Sequence, residues 1–472
     1  MNYDIVVVGA GPGGYVAAIR ASQLGFKVAC VDNFKLNNKY SLGGTCLNVG
    51  CVPSKILLQS SENFFELKNH YEEHGISCSN IKIDIEKMQS RKNSIVDKNT
   101  NGISFLFKKN KIAELHGTAS NIRKEKGGWT LDVIDQDKVL EINCKNIILA
   151  VGSNPREIPL IKFDNKYILD NQGALSLDEV PENIGIIGAG VIGLEIGSIW
   201  KRLGSNITIL EESKTFLGAT DENISTELFN RLTKQNFDIK LGVKIEKIEI
   251  IKNKVHVIFN EHNEIKTQIF NKLIVAIGRV PNTKALNCDK FGLALDEKGF
   301  IKVNEKCQTN LENIWAVGDC VRGPMLAHKA SEEGIYVAEL IAGQQPHFDL
   351  DTIPFIIYTN PELSWVGKTE AQLKSSNIEY KIGKANFSSN ARALSLGNPV
   401  GFVKILSCAK TDRILGVHMI GPFVSELITE AVIALEFKAS SEDLARIVHS
   451  HPSLTEVIHE AAFDCDKRKI HG

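Results

Sequence analysis

The chain contains the same strand, glycine-rich turn and helix pattern twice, and this duplication limits its possible folds more than any other feature. The first copy follows the apolar run 3–8, and the second follows the apolar run 183–187. Each copy has the spacing G-x-G-x-x-G and an acidic residue at the same distance beyond it. This pattern is typical of a dinucleotide-binding βαβ unit, in which the turn accepts a pyrophosphate and the carboxylate binds a ribose. The sequence therefore predicts two dinucleotide sites, with Gly9, Gly11, Gly14 and Asp32 in the first and Gly188, Gly190, Gly193 and Glu211 in the second.

The two sites suit a flavin in one copy and a nicotinamide in the other. Glu211 indicates which nicotinamide, because a carboxylate at this position repels the 2′-phosphate of NADP, which usually requires a nearby arginine. Between Glu211 and Asp221 the basic residue present is Lys214. The second site is therefore predicted to bind NAD.

Composition excludes several classes of protein. The 472 residues carry 55 basic and 56 acidic side chains, a net charge of −1, so nothing suggests a nucleic-acid or anionic-membrane partner. No apolar run approaches the ~20 residues that span a bilayer. Ten cysteines are too few for a secreted disulfide scaffold of this length. We expect a soluble intracellular enzyme without a secretion signal, in a bacterial cytoplasm or an organelle matrix.

The fold class is predicted as α/β, with two Rossmann-like dinucleotide-binding domains for FAD and NAD and a C-terminal α+β dimerisation domain. Residues 112–145 alternate like an antiparallel meander that turns at 127–128, and residues 34–40 resemble a solvated loop. Beyond residue 354 we expect strands to about residue 419, followed by helices over 425–437 and 441–448. The predicted domains are 1–150 (FAD and the cysteine pair), 151–280 (NAD), 281–350 (a central domain that completes the FAD site) and 351–472 (the interface domain).

Two cysteines, Cys46 and Cys51, share a glycine-rich segment that follows the first acidic residue. A helical backbone there would bring the two sulfurs near bonding distance. A zinc site would need two further ligands, and none is clustered nearby. A structural disulfide is an alternative. We favour a redox-active pair, because thiol–disulfide exchange beside a dinucleotide site could couple to a flavin.

The segment 43–55 resembles the redox-active disulfide motif of the flavin-dependent pyridine nucleotide–disulfide oxidoreductases. Both glycine fingerprints, the segment 316–319 and the ending 451–456 are also similar to that family, so the resemblance covers the whole chain. Val52 replaces the usual isoleucine of the motif, which is a conservative change. FAD and NAD are the cofactors that the resemblance implies, and no metal is expected.

The resemblance implies a role for each catalytic candidate. Cys46 would be the sulfur that the dithiol substrate attacks, and Cys51 would face the flavin. An imidazole titrates near neutral pH, so His451 could be the base that deprotonates the dithiol, with Glu456 orienting its ring. A histidine before a proline is by itself more typical of a turn. His449 is interpreted as a supporting or structural residue.

The resemblance also implies a set of cofactor contacts. Lys55 would project toward the flavin and pair with Glu195, whose alternative interpretation is an exposed helix position. Asp319 would bind the ribityl chain of the flavin. The remaining predicted contacts are Thr45, Gly117, Ala119, Gly152, Ser153, Met325, Leu326, Ala327 and His328 for FAD, and Ile245 and Gly278 for NAD.

Within the family, the residues are most similar to the NAD-linked members that oxidise dihydrolipoamide. An NADP-linked glutathione or trypanothione reductase would carry arginines near Glu211, and a mercuric reductase would end in a vicinal cysteine pair. A large thioredoxin reductase would add a second C-terminal redox pair, and a soluble transhydrogenase would lack the cysteine pair. The implied partners are a second copy of the chain, in a homodimer whose sites each borrow His451 from the partner, and lipoyl domains of 2-oxo acid dehydrogenase complexes or a lipoylated carrier protein of the glycine cleavage system. A flavoprotein that senses redox state without turnover is the alternative from another class, and the pair His451–Glu456 disfavours it because a sensor needs no substrate base.

Overall fold

The computed structural model describes residues 1–471 as a mixed α/β chain. The strands are β1 (Asn2–Val8), β2 (Val28–Asp32), β3 (Lys35–Leu36), β4 (Lys39–Tyr40), β5 (Ala113–His116), β6 (Thr118–Glu125), β7 (Gly128–Asp135), β8 (Lys138–Leu149), β9 (Ser153–Pro155), β10 (Ile168–Leu169), β11 (Asn183–Ile187), β12 (Asn206–Glu211), β13 (Asp238–Leu241), β14 (Lys244–Ile251), β15 (Lys254–Glu261), β16 (Glu264–Phe270), β17 (Lys272–Val275), β18 (Arg279–Pro281), β19 (Ile314–Ala316), β20 (Phe355–Ile357), β21 (Glu362–Gly367), β22 (Tyr380–Asn386), β23 (Phe402–Cys408) and β24 (Ile414–Gly421).

The α-helices alternate with these strands in the first two thirds of the chain and cluster near its end. They are α1 (Pro12–Gln23), α2 (Gly44–Val49), α3 (Cys51–Asn69), α4 (Ile85–Lys109), α5 (Asn171–Ala174), α6 (Val191–Leu203), α7 (Glu222–Lys234), α8 (Ala327–Ile341), α9 (Glu370–Ser375), α10 (Ala391–Ser395), α11 (Val424–Glu436), α12 (Ser441–Arg446) and α13 (Glu456–Asp464). No helix within residues 1–471 combines the length and the apolarity that crossing a bilayer requires.

The first glycine fingerprint lies at the carboxyl edge of a seven-stranded sheet with the order β5-β2-β1-β8-β7-β6, to which β19 is added beside β8. Strands β5, β2, β1 and β19 run parallel to their neighbours, whereas β6 and β7 are antiparallel. Strand β8 joins the two halves: it pairs with β7 along its first part and with β1 along its second. Parallel strands buried on both faces are near-continuously apolar, as 5–8 and 147–149 are.

The second fingerprint opens a separate five-stranded parallel sheet with the order β10-β17-β11-β12-β13. A three-stranded antiparallel sheet, β14-β15-β16, follows it, and the two-stranded ribbon β9-β18 connects the two fingerprint-bearing halves. The C-terminal part is an antiparallel sheet, β20-β21-β24-β23-β22, which α11 and α13 cover. The predicted fold class is therefore confirmed.

Four local predictions are wrong. Residues 34–40 form the hairpin β3-β4 rather than a loop, and β5 pairs parallel with β2, so the meander consists of β6, β7 and β8. The C-terminal region contains α9, α10 and α13 as well as the expected helices. Helix α12 ends at Arg446, two residues before the predicted end. The turn at 127–128 lies where predicted, between β6 and β7.

The fingerprint glycines are required by close backbone contacts. Gly9 has φ +102°, and a Cβ there would lie 2.3 Å from the carbonyl oxygen of Ala150. A Cβ on Gly14 would lie 1.8 Å from the carbonyl oxygen of Gly9. Neither position can hold a larger residue without moving the strand or the helix, so helix α1 can approach β1 only because these residues are glycines.

The second fingerprint repeats this geometry. Gly188 has φ +101° and lies against the carbonyl oxygen of Ala276, at 2.5 Å from a built Cβ. A Cβ on Gly193 would lie 2.3 Å from the carbonyl oxygen of Gly188. A Cβ on Gly190, by contrast, meets no atom within 4 Å. The middle glycine thus leaves open space at the helix N-terminus, where a pyrophosphate needs to approach.

We predict that Gly193→Ala and Gly190→Ala have different effects on stability. The Gly193→Ala methyl group overlaps the Gly188 carbonyl and should destabilise the fold by about 1–3 kcal/mol. Gly190→Ala is the matched control and should leave the unfolding temperature unchanged. Thermal unfolding followed by circular dichroism measures both. Equal unfolding temperatures for the two variants would contradict the packing argument.

Candidate active site

Each fingerprint ends in a carboxylate that holds its own glycine turn. Asp32 accepts hydrogen bonds from the backbone N–H of Ala10 at 3.0 Å, and Glu211 accepts one from that of Ala189 at 2.7 Å. Glu211 also accepts the Ser213 N–H at 2.8 Å. Burial raises the pKa of Asp32, although several backbone hydrogen bonds oppose this effect. The two carboxylates stand where each predicted site needs a ribose acceptor.

The cysteine pair lies at a break between two helices. Cys46 is in α2 and Cys51 is the first residue of α3, and Gly50 separates the helices with φ −132° and ψ −115°. A Cβ on Gly50 would lie 2.9 Å from the carbonyl oxygen of Thr45, so this turn is tight. Both cysteines are free thiols in this structure. The backbone is thus helical on both sides of Gly50, and the turn between the helices brings the thiols into hydrogen-bond contact.

The two thiols have opposite acidities. A hydrogen bond from the Cys46 thiol and the charge of Lys55 together outweigh burial and lower the pKa of Cys51 to about 7. The same hydrogen bond, with burial, raises the pKa of Cys46 well above its ordinary value. The first proton to leave the reduced pair therefore comes from Cys51. The reduced pair holds its thiolate at Cys51, which is the better leaving group in thiol–disulfide exchange.

The Lys55 ammonium lies one helical turn beyond Cys51 and forms a partly buried ion pair. Its Nζ donates to Glu195 Oε2 at 2.7 Å and lies 4.5 Å from the centroid of the Tyr358 ring. Glu195 is 4% exposed and also accepts the Tyr358 N–H at 3.1 Å. The interpretation of Glu195 as an exposed helix residue is therefore wrong.

A second ion pair joins the same two helices. Arg202 of α6 lies 2.5 Å from Glu62 of α3, seven residues beyond Glu195 and Lys55 respectively. The second pair lies seven residues closer to the C-terminus than the first on both helices, so α3 and α6 run parallel. Their N-termini consequently lie at the same end. The redox cysteine and the turn of the second fingerprint are brought together by this pairing.

A cavity of about 900 Å³ lies between the two halves, and most predicted FAD contacts line it. A smaller cavity beside it shares Gly9 and Asp32 and is lined by Gly117 and Ala119. The N-terminus of α1 and the Asp32 carboxylate fit the pyrophosphate and ribose of FAD. The predicted residues that line the larger cavity are Gly9, Gly11, Asp32, Thr45, Cys46, Cys51, Lys55, Gly152, Ser153, Glu195, Asp319, Met325, Leu326, Ala327 and His328.

Asp319 is held at the cavity wall by a chain of hydrogen bonds. The Ser153 hydroxyl donates to Asp319 Oδ2 at 2.5 Å. Arg279 donates to Ser153 Oγ at 2.7 Å and to its carbonyl oxygen at 2.6 Å. Burial lowers the pKa of Arg279. Sequence reasoning did not single out Arg279, although its place directly after the repeated strand and Gly278 was a usable signal.

A buried ion pair on α8 supports the same turn. The backbone N–H of Gly318 donates to Glu333 Oε2 at 2.7 Å, and Lys329 Nζ donates to the Gly318 carbonyl oxygen at 2.9 Å. Both side chains are fully buried. Neither residue was predicted, because nothing in the sequence distinguishes them from an exposed i,i+4 pair on a helix.

The predicted NAD contacts lie outside the larger cavity, around the second fingerprint. The Val243 N–H donates to the Glu211 carbonyl oxygen at 2.9 Å, so the strand that carries Ile245 begins beside Glu211. Gly278 follows β17 with φ +102°. Gly188, Gly190 and Gly193 form the turn described above, and their role in binding NAD stays a prediction.

His451 and Glu456 form a hydrogen-bonded pair at 2.8 Å between Nδ1 and Oε1. Burial raises the pKa of Glu456, but the Ser453 N–H and His451 outweigh it, so the net shift is downward. The His451 side chain is 75% exposed and does not line the cavity that contains the cysteines. Within residues 1–471 of one chain, the pair and the thiols are therefore not brought together.

No group of three or more His, Cys, Asp or Glu side chains in the described part of the chain is arranged to hold a metal ion. The fold and the cavity instead define a disulfide oxidoreductase with two dinucleotide sites. Residues 3–334 match the family model of pyridine nucleotide-disulphide oxidoreductases, and residues 353–462 match that of the family's dimerisation domain. The chain belongs to the pyridine nucleotide-disulphide oxidoreductase family. Its cofactors are FAD and NAD, and the dimerisation domain supports a homodimer.

Curated relatives match along the whole length. Dihydrolipoyl dehydrogenase of Cupriavidus necator is 50% identical over 99% of both chains. The mitochondrial dihydrolipoyl dehydrogenase of Pisum sativum is 42% identical over 99% of this chain and 92% of its own. Among solved structures, the Cu(II) complex of the HOCl-induced flavoprotein disulfide reductase RclA from Escherichia coli has 27% identity and a TM-score of 0.86, covering 98% of this chain and 99% of its own. LpdA from Mycobacterium tuberculosis, at 23% identity and a TM-score of 0.90 over 97% and 99% of the two chains, supports the fold.

We predict that Lys55→Met raises the pKa of Cys51, because the ammonium stabilises the thiolate. In the wild type, alkylation of Cys51 in the reduced protein should rise with pH and reach half its maximal rate near pH 7. The variant should need a higher pH. Lys68→Met, an exposed position on the same helix, is the control and should behave as the wild type. Mass analysis of iodoacetamide-labelled peptides measures the rate, and overlapping profiles for wild type and Lys55→Met would refute the electrostatic role.

Proposed function

We propose that this chain is a dihydrolipoyl dehydrogenase in which Cys46, Cys51, His451 and Glu456 perform the dithiol chemistry. The observation that carries the proposal is the cysteine pair in the wall of a cavity that the first fingerprint also lines. The net reaction oxidises dihydrolipoamide to lipoamide and reduces NAD⁺ to NADH with release of one proton. The 42–50% identity to dihydrolipoyl dehydrogenases over almost the full chain supports this substrate.

The disulfide accepts the first electron pair. In the oxidised protein Cys46 and Cys51 are joined, and His451 takes a proton from one thiol of dihydrolipoamide. The resulting thiolate attacks the Cys46 sulfur, which breaks the protein disulfide and releases Cys51 as a thiolate. The low pKa of Cys51 makes it the better leaving group and favours attack at Cys46.

The second substrate thiol then completes the exchange. Its sulfur attacks the substrate sulfur that is bonded to Cys46, so lipoamide leaves and Cys46 receives the electron pair of the broken bond. The proton of this second thiol passes to Cys46, whose raised pKa keeps it a thiol, while the first proton stays on His451. Bound FAD supplies the two-electron relay between the cysteine pair and NAD⁺. Lys55, paired with Glu195, holds a positive charge beside the Cys51 thiolate. Ser153 and Arg279 orient the Asp319 carboxylate that would bind the flavin chain.

The substrate is expected to arrive on a protein partner. The proposed partners are lipoyl domains of 2-oxo acid dehydrogenase complexes or a lipoylated carrier protein, in a bacterial cytoplasm or an organelle matrix. The predicted domain boundaries, at residues 150, 280 and 350, stay predictions. The hydrogen-bonded pair His451–Glu456 supports an enzyme over a redox sensor, because only turnover of a dithiol needs a base.

We predict that Cys46→Ser and Cys51→Ser each abolish NAD⁺ reduction by dihydrolipoamide. A hydroxyl cannot form the disulfide that accepts the electron pair. Both variants should retain FAD, because the fingerprint and Asp319 are intact, and bound flavin absorbance checks this. Cys408→Ser, a change outside the site, is the control. Substantial dihydrolipoamide turnover in either active-site variant would contradict the proposed disulfide mechanism.

NAD preference should depend on Glu211. Glu211→Gln keeps an oxygen that can accept the Ala189 N–H but removes the charge, so we expect the affinity for NAD to fall about tenfold. Glu212→Gln is the exposed control beside it and should have no effect. Adding an arginine by Glu212→Arg should move the preference toward NADP. The kcat/KM ratio for the two nucleotides measures these changes, and a wild type that uses both equally would disprove the argument.

The homodimer is predicted to share its active sites, because His451 lies away from the cavity that holds the thiols of its own chain. Mixing inactive Cys51→Ser protein with inactive His451→Gln protein, followed by subunit exchange, would create dimers in which one site has both residues intact. Each mixed dimer should therefore have about half the activity of a wild-type dimer, and an equal mixture after random exchange should have about a quarter. If the mixture stays inactive after exchange has been demonstrated, each site is built within one chain. A catalytically active monomer would also show that each site is built within one chain.

A further inference from the structure

Two histidines lie in the segment between α12 and α13, and they differ in environment. The His451 side chain is 75% exposed, whereas that of His449 is 5% exposed. The neighbouring Ile447 and Val448 are 56% and 94% exposed. Among these four residues, His449 is the one whose side chain is buried against the rest of the chain.

Both ring nitrogens of His449 face oxygen acceptors. Nε2 lies 2.7 Å from Glu430 Oε1 on α11, and Nδ1 lies 2.8 Å from the carbonyl oxygen of Ile447. A neutral imidazole has a single N–H and can satisfy one of these acceptors, whereas an imidazolium satisfies both. The geometry fits a protonated His449 with Glu430 as its counter-ion.

The other groups that face His449 are consistent with this state. Its ring packs on that of His459 from α13, with centroids 4.7 Å apart, and His459 is turned toward the Ala445 carbonyl oxygen at 3.0 Å. The hydrogen bond to Glu430 raises the pKa of His449 against the opposing effect of burial, and the charge of Glu456 acts in the same direction. The charged form is thus favoured up to a higher pH than for an ordinary histidine.

We propose that His449 is a positioning residue: paired with Glu430, it fixes the segment that presents His451 to the dithiol. The inference rests on the proposed role of His451 as the base. Glu456 orients the His451 ring from the start of α13. His449 fixes the backbone two residues before the base and ties it to α11 in the dimerisation domain. The base is consequently held from both sides.

The test compares two reactions in His449→Gln and Glu430→Gln holoenzymes. Reduction of NAD⁺ by dihydrolipoamide needs the base, whereas oxidation of NADH by ferricyanide needs the flavin and no thiol base. We expect kcat for NAD⁺ reduction by dihydrolipoamide to fall roughly tenfold, because a base misplaced by 1 Å can cost up to ~100-fold in rate and these changes should move His451 by less. The rate of NADH oxidation by ferricyanide should be unchanged. The double variant should be no slower than either single variant, because both changes break one pair.

The matched control is His347→Gln. It removes another histidine–glutamate pair on α11, since His347 lies 3.1 Å from Glu436 of that helix with its side chain 76% exposed. Both reactions should stay at wild-type rates. Size-exclusion chromatography checks that each variant is still a dimer.

Dihydrolipoamide turnover at the wild-type rate in both single variants would overturn the inference. Equal losses in the two reactions would also overturn it, because they would indicate a general structural role. If His449→Gln does not fold, Glu430→Gln decides by the same two readouts. His451→Gln is measured in parallel. If that variant still turns over dihydrolipoamide, the proposed base is wrong; if it is inactive while the other two are normal, only the positioning role fails.

Discussion

The active-site arrangement depends on one backbone contact, between the first glycine turn and the segment that carries the cysteines. The Gly43 N–H donates to the Ala10 carbonyl oxygen at 2.9 Å, and a Cβ on Gly44 would lie 2.8 Å from the Cα of Gly11. Because Gly44 has φ +57°, a side chain there would also be strained. The turn that is suited to a pyrophosphate is thus the surface on which helix α2 rests. Any residue larger than glycine at this contact would separate the redox pair from the nucleotide.

The arrangement of the active site also depends on the parallel packing of α3 against α6. Each of these helices begins at a functional turn, α3 at the redox cysteine and α6 at the second fingerprint. The ion pairs Lys55–Glu195 and Glu62–Arg202 hold them in one register along two turns. A buried pair contributes little net stability on average, but removing one partner leaves a costly uncompensated charge. Such pairs therefore specify one arrangement of the helices, and here that arrangement brings the Cys51 sulfur and the second turn to the same end.

The parts of this site that are local in sequence could be predicted, and the parts that depend on distant contacts could not. The fingerprints are recognisable because their glycines and carboxylates act within one βαβ unit. Residues 34–40 resembled a loop because their hairpin is supported from elsewhere: Tyr40 donates to Asp135 at 2.5 Å and stacks on His116 at 4.4 Å. Arg279 was not predicted for the same reason, since it binds Ser153, which is 126 residues earlier in the chain. Glu333 was not predicted because its spacing from Lys329 is that of an ordinary exposed pair on a helix. The exposed position of His451 likewise follows from tertiary structure.

In the proposed reaction, the cysteine pair is a second two-electron carrier beside the flavin. Anaerobic titration of the oxidised holoenzyme with dithionite, followed by flavin absorbance and free-thiol content, tests it most directly. We expect each wild-type subunit to take up about four electrons, two in the flavin and two in the disulfide, and each Cys51→Ser subunit to take up about two. Uptake of two electrons per subunit by the wild type, with no new thiols, would contradict it.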